Sequence, residues 1–383
     1  MAVRKTIKVG VLYSETGPYG SMGRDCRDGA DFAIREIADN ELCPIIIEAV
    51  YADPAGEPRR YLEESRAMLR DKGCRQIVGT ITSQARKEVI PLVEKYDGLL
   101  WYVCAYEGFE ANENVIYTGT CPNQHLIPLF DYLLPTFGKK AYIVGANFVW
   151  GWEMSRLARE LLGRVNGEVL GEHYLPMDDS EVERIVADIE VKRPSFILNN
   201  LVGPSSYAFL AAIAELSRRD PRFLPENCPV VSCDLAECEL PFVRNGSAVG
   251  QYSVGPYFDT LQSDENKDFK ARVAKRYGTE RRLSVFFEGA YTAMKLLAAS
   301  AATAGTDDPV AIKTVLHATT FDTPHGPLRV DERTNHAALP FHLGRIQADD
   351  SFEIAISRPA IVADPYLTFG QSETARPYLR VVS

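Results

Sequence analysis

Residues 8–53 read KVGVLYSETGPYGSMGRDCRDGADFAIREIADNELCPIIIEAVYAD. A short β-branched run over 8–14 leads into a glycine-rich loop, then a helix over 26–40 and a second apolar run ending at Asp53. Strand, helix and strand in that order make a βαβ unit, the building block of parallel sheets. The alternation continues downstream with a helix over 58–72, a strand over 76–81, a helix over 83–96 and a strand over 99–104. It restarts after Gly119 with a helix over 126–137, strand 141–147, helix 152–165, strand 168–175, helix 182–191, strand 195–200, helix 205–218 and strand 228–233. Ser205 or Ser206 suits the cap of the last helix, since a serine hydroxyl accepts from first-turn amides. Helices over 266–277 and 284–302, then strands over 326–331 and 341–347, complete the chain. The fold class is therefore α/β, as two comparable halves with no Gly/Ser-rich linker between them. A chain crossing repeatedly between two such lobes makes a hinged pair, and the cleft between them is where a small molecule binds.

The whole chain of 383 residues is 25% charged and 46% hydrophobic, an ordinary globular composition. A net charge of −10 with no basic block argues against direct nucleic-acid binding, and no apolar run is long enough for a membrane helix. The eight cysteines form no CxxC pair, and the six histidines lie in no metal-ligand spacing, so neither a metal nor a cofactor is expected. Gly17, Gly20 and Gly23 match neither a dinucleotide fingerprint nor a P-loop. No GxSxG elbow is present, and Cys104, just past an apolar strand, reads more readily as a small core residue than as a nucleophile. A binding protein is expected, not an enzyme. Eight scattered thiols and a charged N-terminus with no apolar core favour a cytoplasmic location. A periplasmic protein whose signal had been removed would read the same.

The candidate ligand residues follow strands, because ligands in open α/β sheets sit beyond the strands' carboxyl ends. Ile81, Thr82 and Ser83 open a helix, where a cap hydroxyl and free amides suit a carbonyl, carboxylate or amide oxygen. Tyr102, Cys104 and Tyr106 leave the next strand. Phe148 and Trp150 leave a strand in the other half, so the two aromatic sets read as facing lips of a box that excludes water. Asp234 and Glu237 follow strand 228–233. Asp-x-x-Glu is also a helix capping box, while the functional reading is a carboxylate that receives an amine or amide N–H.

Three stretches, VGTITSQARKEVIPLVEKYDGLLWYVCAYEGFEANENVIYTGTCPNQH, IVGANFVWGWEMS and FDTPHGPLRVDERTNH, resemble the type I periplasmic-binding-protein fold. Within it they are most similar to the branch of aliphatic-amide sensors that regulate amidase operons and of urea and short-chain-amide receptors. The resemblance spans nearly the whole chain. It implies two Rossmann-like lobes joined by three crossovers near 120–122, 250–256 and 330–340, with residues 1–120 plus 254–330 forming one lobe and 121–253 plus 331–383 the other. It also implies direct ligand contacts from Ser83, Tyr102 and Cys104, covered by Phe148 and Trp150. The chain departs from the amide sensors at Ile81, where they look to carry an aromatic, at Cys104, where they look to carry a hydroxyl, and at Phe148 and Trp150, where they look to carry tyrosines. Asp234 replaces a neutral hydroxyl residue. Simple acetamide therefore fits poorly, and a ligand with an NH-rich or cationic end and an apolar body is expected. The resemblance implies a ligand-responsive sensor that holds a partner, such as an RNA-binding antiterminator. The alternative is the substrate-binding subunit of an ABC transporter for urea, amides or amino-acid-like solutes, with an ABC permease as partner. A homo-oligomer is compatible with both.

Overall fold

The computed structural model describes residues 4–368. Strand β1 (Lys5–Leu12) runs parallel to β2 (Ile45–Ala52), with Lys5 opposite Ile45 and Leu12 opposite Ala52. Its Ile7, Val9, Val11 and Leu12 are buried, as expected for a parallel strand covered on both faces. With β3 (Gln76–Gly79), β4 (Leu99–Tyr102) and β5 (Val115–Tyr117) it forms a parallel sheet in the order β2-β1-β3-β4-β5. The connecting helices are α1 (Gly20–Asp39), α2 (Pro58–Arg66), which is prolonged by a wide turn over Ala67–Asp71, and α3 (Ser83–Lys95). Helix α1 starts at Gly20, not residue 26. Two of the loop glycines are therefore helical, and Gly23 lies where a β-carbon would come within 1.7 Å of the Ser14 carbonyl oxygen. These glycines serve close packing of the helix on the strand end.

After α4 (Leu126–Thr136) the second sheet begins. Strands β6 (Lys140–Ala146), β7 (Glu168–Leu175), β8 (Phe196–Asn200), β9 (Val230–Ser232) and β10 (Tyr252–Gly255) are parallel in the order β7-β6-β8-β9-β10. That order repeats the first sheet's. Helices α5 (Val149–Arg164), α6 (Glu183–Lys192) and α7 (Pro204–Arg219) connect these strands. The chain then returns to the first lobe as α8 (Asp264–Tyr277), α9 (Val285–Ala304) and α10 (Pro309–Ala318). Phe287 and Tyr291 of α9 pack on Phe32 of α1 at ring distances of 6.3 and 5.7 Å. A hairpin of β11 (Phe321–Thr323) and β12 (Gly326–Leu328) follows, and His336 bridges to Tyr117. Finally β13 (Leu339–Ile346) and β14 (Phe352–Ile361) add antiparallel to the β10 edge. The fold is thus α/β with two lobes and three crossovers.

Several expectations change in detail. Strand β10 runs to Gly255, so a lobe boundary at 253/254 falls inside it, and residues 369–383 of the expected second lobe lie outside the described residues. Neither Ser205 nor Ser206 caps α7. Gly203 occupies the cap position with Pro204 in the first turn, a pairing in which proline loses no needed donor. Ser206 instead accepts from Asn199 Nδ2 at 2.9 Å. No α-helix follows Asp234 and Glu237, so the capping-box reading fails. Among the described residues the lobes touch at several points. A β-carbon on Gly203 would lie 2.2 Å from the Pro18 carbonyl oxygen. Arg156 covers the Phe109 ring at 4.8 Å, and Arg282 meets Asp349 at 2.9 Å. The arrangement is closed.

Candidate functional site

The carboxyl ends of strands from both sheets converge on one cavity of about 60 Å³. A single enclosed water needs roughly 10–15 Å³, so this space suits a few waters or a small solute. From the first lobe, Ile81, Thr82 and Ser83 arrive on the β3–α3 turn and Val103, Cys104 and Ala105 just past β4. From the second, Phe148 and Trp150 come from the start of α5, and Asp234, Leu235, Ala236 and Glu237 from the turns after β9.

The first-lobe wall is internally satisfied. Thr82 Oγ1 accepts from the Ala85 amide at 3.2 Å and caps α3. The Ser83 hydroxyl donates to Glu107 and accepts from Arg86 at 3.2 Å. Arg86 is fully buried and reaches Glu107 at 3.3 Å and Glu110 at 2.7 Å. Its guanidinium lies 4.6 and 4.7 Å from the centroids of the Tyr102 and Tyr106 rings. Burial alone would push the Glu110 carboxyl up, but Arg86 and Lys87 hold it down at about 2.

The second-lobe wall is not satisfied. Glu237 Oε1 accepts from the Asp259 amide at 2.8 Å, while its Oε2, equally buried, has no partner. Burial pushes the Glu237 carboxyl up to about 8 and that of Asp234 to about 7, the latter opposed by a 2.6 Å hydrogen bond from Ser232. The Trp150 indole N–H is buried and unpartnered as well. No lysine, arginine or histidine stands among the described lining residues. Two acceptors and one donor therefore face the cavity with no protein cation to neutralise the acids.

Of the expected ligand residues, Ile81, Thr82, Ser83, Cys104, Phe148, Trp150, Asp234 and Glu237 line this cavity. Tyr102 and Tyr106 do not. The Tyr102 hydroxyl donates to the Ile81 carbonyl at 2.8 Å, and the Tyr106 hydroxyl lies 2.5 Å from His336 Nε2. Both rings brace the wall from behind, so the first-lobe lip of the aromatic box is absent. Its place is taken by residues the sequence reading passed over, chiefly Met22, Tyr257, Phe258 and Phe286. Tyr257 and Phe258 follow β10, a four-residue strand too short to show periodicity. Phe286 opens a helix whose start gave no sign of facing the cleft. Among the described residues no cluster of three or more metal-ligating side chains exists.

A sequence profile of the periplasmic binding protein domain matches residues 7–372. A Leu/Ile/Val-binding protein homologue of Brucella abortus is 21% identical over 91% of this chain and 90% of its own length. A solute-binding protein of an ABC transporter from Rhodopseudomonas palustris BisB5, in complex with 3,4-dihydroxybenzoic acid, superposes with a TM-score of 0.82 at 17% identity, over 93% of this chain and 98% of its own. LivJ of Streptococcus pneumoniae, a branched-chain amino-acid substrate-binding protein in complex with isoleucine, gives 0.78 at 17% identity, over 92% and 99%. These relatives are solute-binding proteins. They lend no support to the amide-sensor branch, and the match to the periplasmic binding protein domain overturns the cytoplasmic expectation. The thiol count misled because it ignored burial. The described cysteines are all free, and six of them are buried. Burial pushes Cys74 to about 11 and both Cys121 and Cys228 to about 12, which suppresses the thiolate that disulfide exchange requires.

Proposed function

The chain belongs to the periplasmic binding protein family, and from that premise we propose that it is the periplasmic solute-binding subunit of an ABC importer, delivering to a permease a small solute with an amine or amide N–H end and an apolar body. The observation that carries this reading is the unpartnered Glu237 Oε2 beside Asp234, in a cavity whose lining has no cation. A buried acceptor left unpaired costs about 1–3 kcal/mol, and an ammonium or amide N–H would remove that cost. Phe148, Trp150, Phe258 and Phe286 supply the apolar wall, and the Trp150 indole N–H is free to donate to a carbonyl. Because both lobes contribute to the cavity, such a solute would favour the closed arrangement over an open one. An aromatic acid of the kind bound by the Rhodopseudomonas protein suits this wall less well, since its carboxylate would share the space with two acidic side chains. Denaturing the purified protein and identifying the released small molecule by mass spectrometry tests the reading. A nitrogen-bearing solute at one per chain is expected, and a nitrogen-free carboxylic acid would contradict it.

A further inference from the structure

Ser83 faces the cavity, and its single proton is already committed. Glu107, only 2% exposed, lies against Arg86 and, at 3.8 Å, Lys87. The Ser83 hydroxyl donates to Glu107 Oε2. The Ser83–Glu107 hydrogen bond therefore uses the serine proton, and Arg86 NH1 occupies one oxygen lone pair at 3.2 Å. What remains of the hydroxyl is one lone pair. We propose that Glu107 is a specificity-determining residue: by taking the Ser83 proton it turns that hydroxyl into a pure acceptor, so the first lobe selects an N–H donor and disfavours a carboxylate.

This inference rests on the solute reading of the cavity and deepens it. The Ala85 amide is taken by Thr82, but the Ser83 and Gln84 amides that open α3 have no partner within the helix and supply donors beside the Ser83 hydroxyl. An acceptor next to donors matches a primary amide, which carries both an N–H and a carbonyl oxygen. A carboxylate would meet the Ser83 lone pair with its own. Glu107 itself does not line the cavity, so its effect passes through Ser83.

Glu107→Gln is the direct test, because a glutamine amide would donate to Ser83 Oγ and release the serine proton toward the cavity, while Glu110 still pairs Arg86. The probes are isoleucinamide and isoleucine, which share the side chain and the ammonium and differ only at the end that would meet Ser83. Calorimetric titration of the full chain should show the wild type favouring isoleucinamide by about tenfold (~1.4 kcal/mol), and E107Q abolishing or reversing that preference. An unchanged ratio in a folded E107Q overturns the inference and leaves the solute reading intact. Failure of the wild type to bind either probe overturns both. If E107Q does not fold, Ser83→Ala carries the test: isoleucinamide should weaken at least fivefold with isoleucine unaffected, whereas weakened isoleucine would show that Ser83 donates to a carboxylate and would overturn the inference.

Discussion

The two walls of the cavity are built on the same strand order yet end in opposite electrostatic states. On the first lobe, Ser83, Arg86, Glu107 and Glu110 satisfy one another, and Glu110 is held ionised at about 2. On the second, Asp234 and Glu237 are pushed up to about 7 and about 8, and Glu237 keeps a bare oxygen. A buried charge is tolerable only with its partner in place. The first wall carries its partners within the fold, and the second lacks one. Stability is thus invested on one side of the cleft and ligand affinity on the other.

The largest effect should come from breaking the finished wall. Arg86→Met would leave Glu107 and Glu110 with the half-exposed Lys87 as their remaining cation among the described residues. A loss of about 3–5 kcal/mol is expected, as for other buried pairs deprived of one member, and urea unfolding would measure it. Changing the open wall should do the reverse. Glu237→Gln should lower affinity for amine-bearing solutes by about 10–100-fold, roughly 1.4–2.7 kcal/mol, while the unliganded protein keeps or gains thermal stability because a buried acid has been removed.

Acidity should separate the walls as well. The raised carboxyls of Asp234 and Glu237 bind protons in the folded protein that the unfolded chain has released. Their contribution is therefore full below about pH 4 and lost as pH rises through 7 and 8. The buried His125, His336 and His342, lowered to about 4 by burial, act in the opposite direction only up to about pH 6.5. Between pH 6.5 and 8 the melting temperature of the unliganded protein should fall, and E237Q should flatten that slope. Over the same range affinity for an amine should rise in the wild type, since the cation displaces those protons. The smallest expected effect is Trp150→Phe, which removes the indole donor and should weaken an amide about three- to tenfold, as read by calorimetry.

The frame that carries both walls was legible in the sequence, but their electrostatic contrast was not. Runs such as 168–175 fixed strands to the residue, since β7 covers the same eight positions. The rule that ligands sit beyond strand ends pointed to Ser83, Cys104, Trp150, Asp234 and Glu237, and all five line the cavity. Strands β5 and β10 have three and four residues, too few for a period to register, so Tyr257 and Phe258 went unread with β10. Strand β14 carries Pro359 and alternates exposed and half-buried residues along an outer edge, where proline is tolerated. The roles of Tyr102 and Tyr106 depended on which way rings leave a strand end, and Arg86 drew both of them to the rear of the wall. No spacing encodes that choice.

The most direct measurement is a calorimetric titration of the wild type and a D234N/E237Q double variant with isoleucinamide, isoleucine and 4-hydroxybenzoate. If the open wall is an amine or amide receptor, the wild type binds the nitrogen-bearing probes and not 4-hydroxybenzoate, and the double variant loses that binding while melting no lower than the wild type. Tight binding of 4-hydroxybenzoate by the wild type, with affinities unchanged in the double variant, would contradict it.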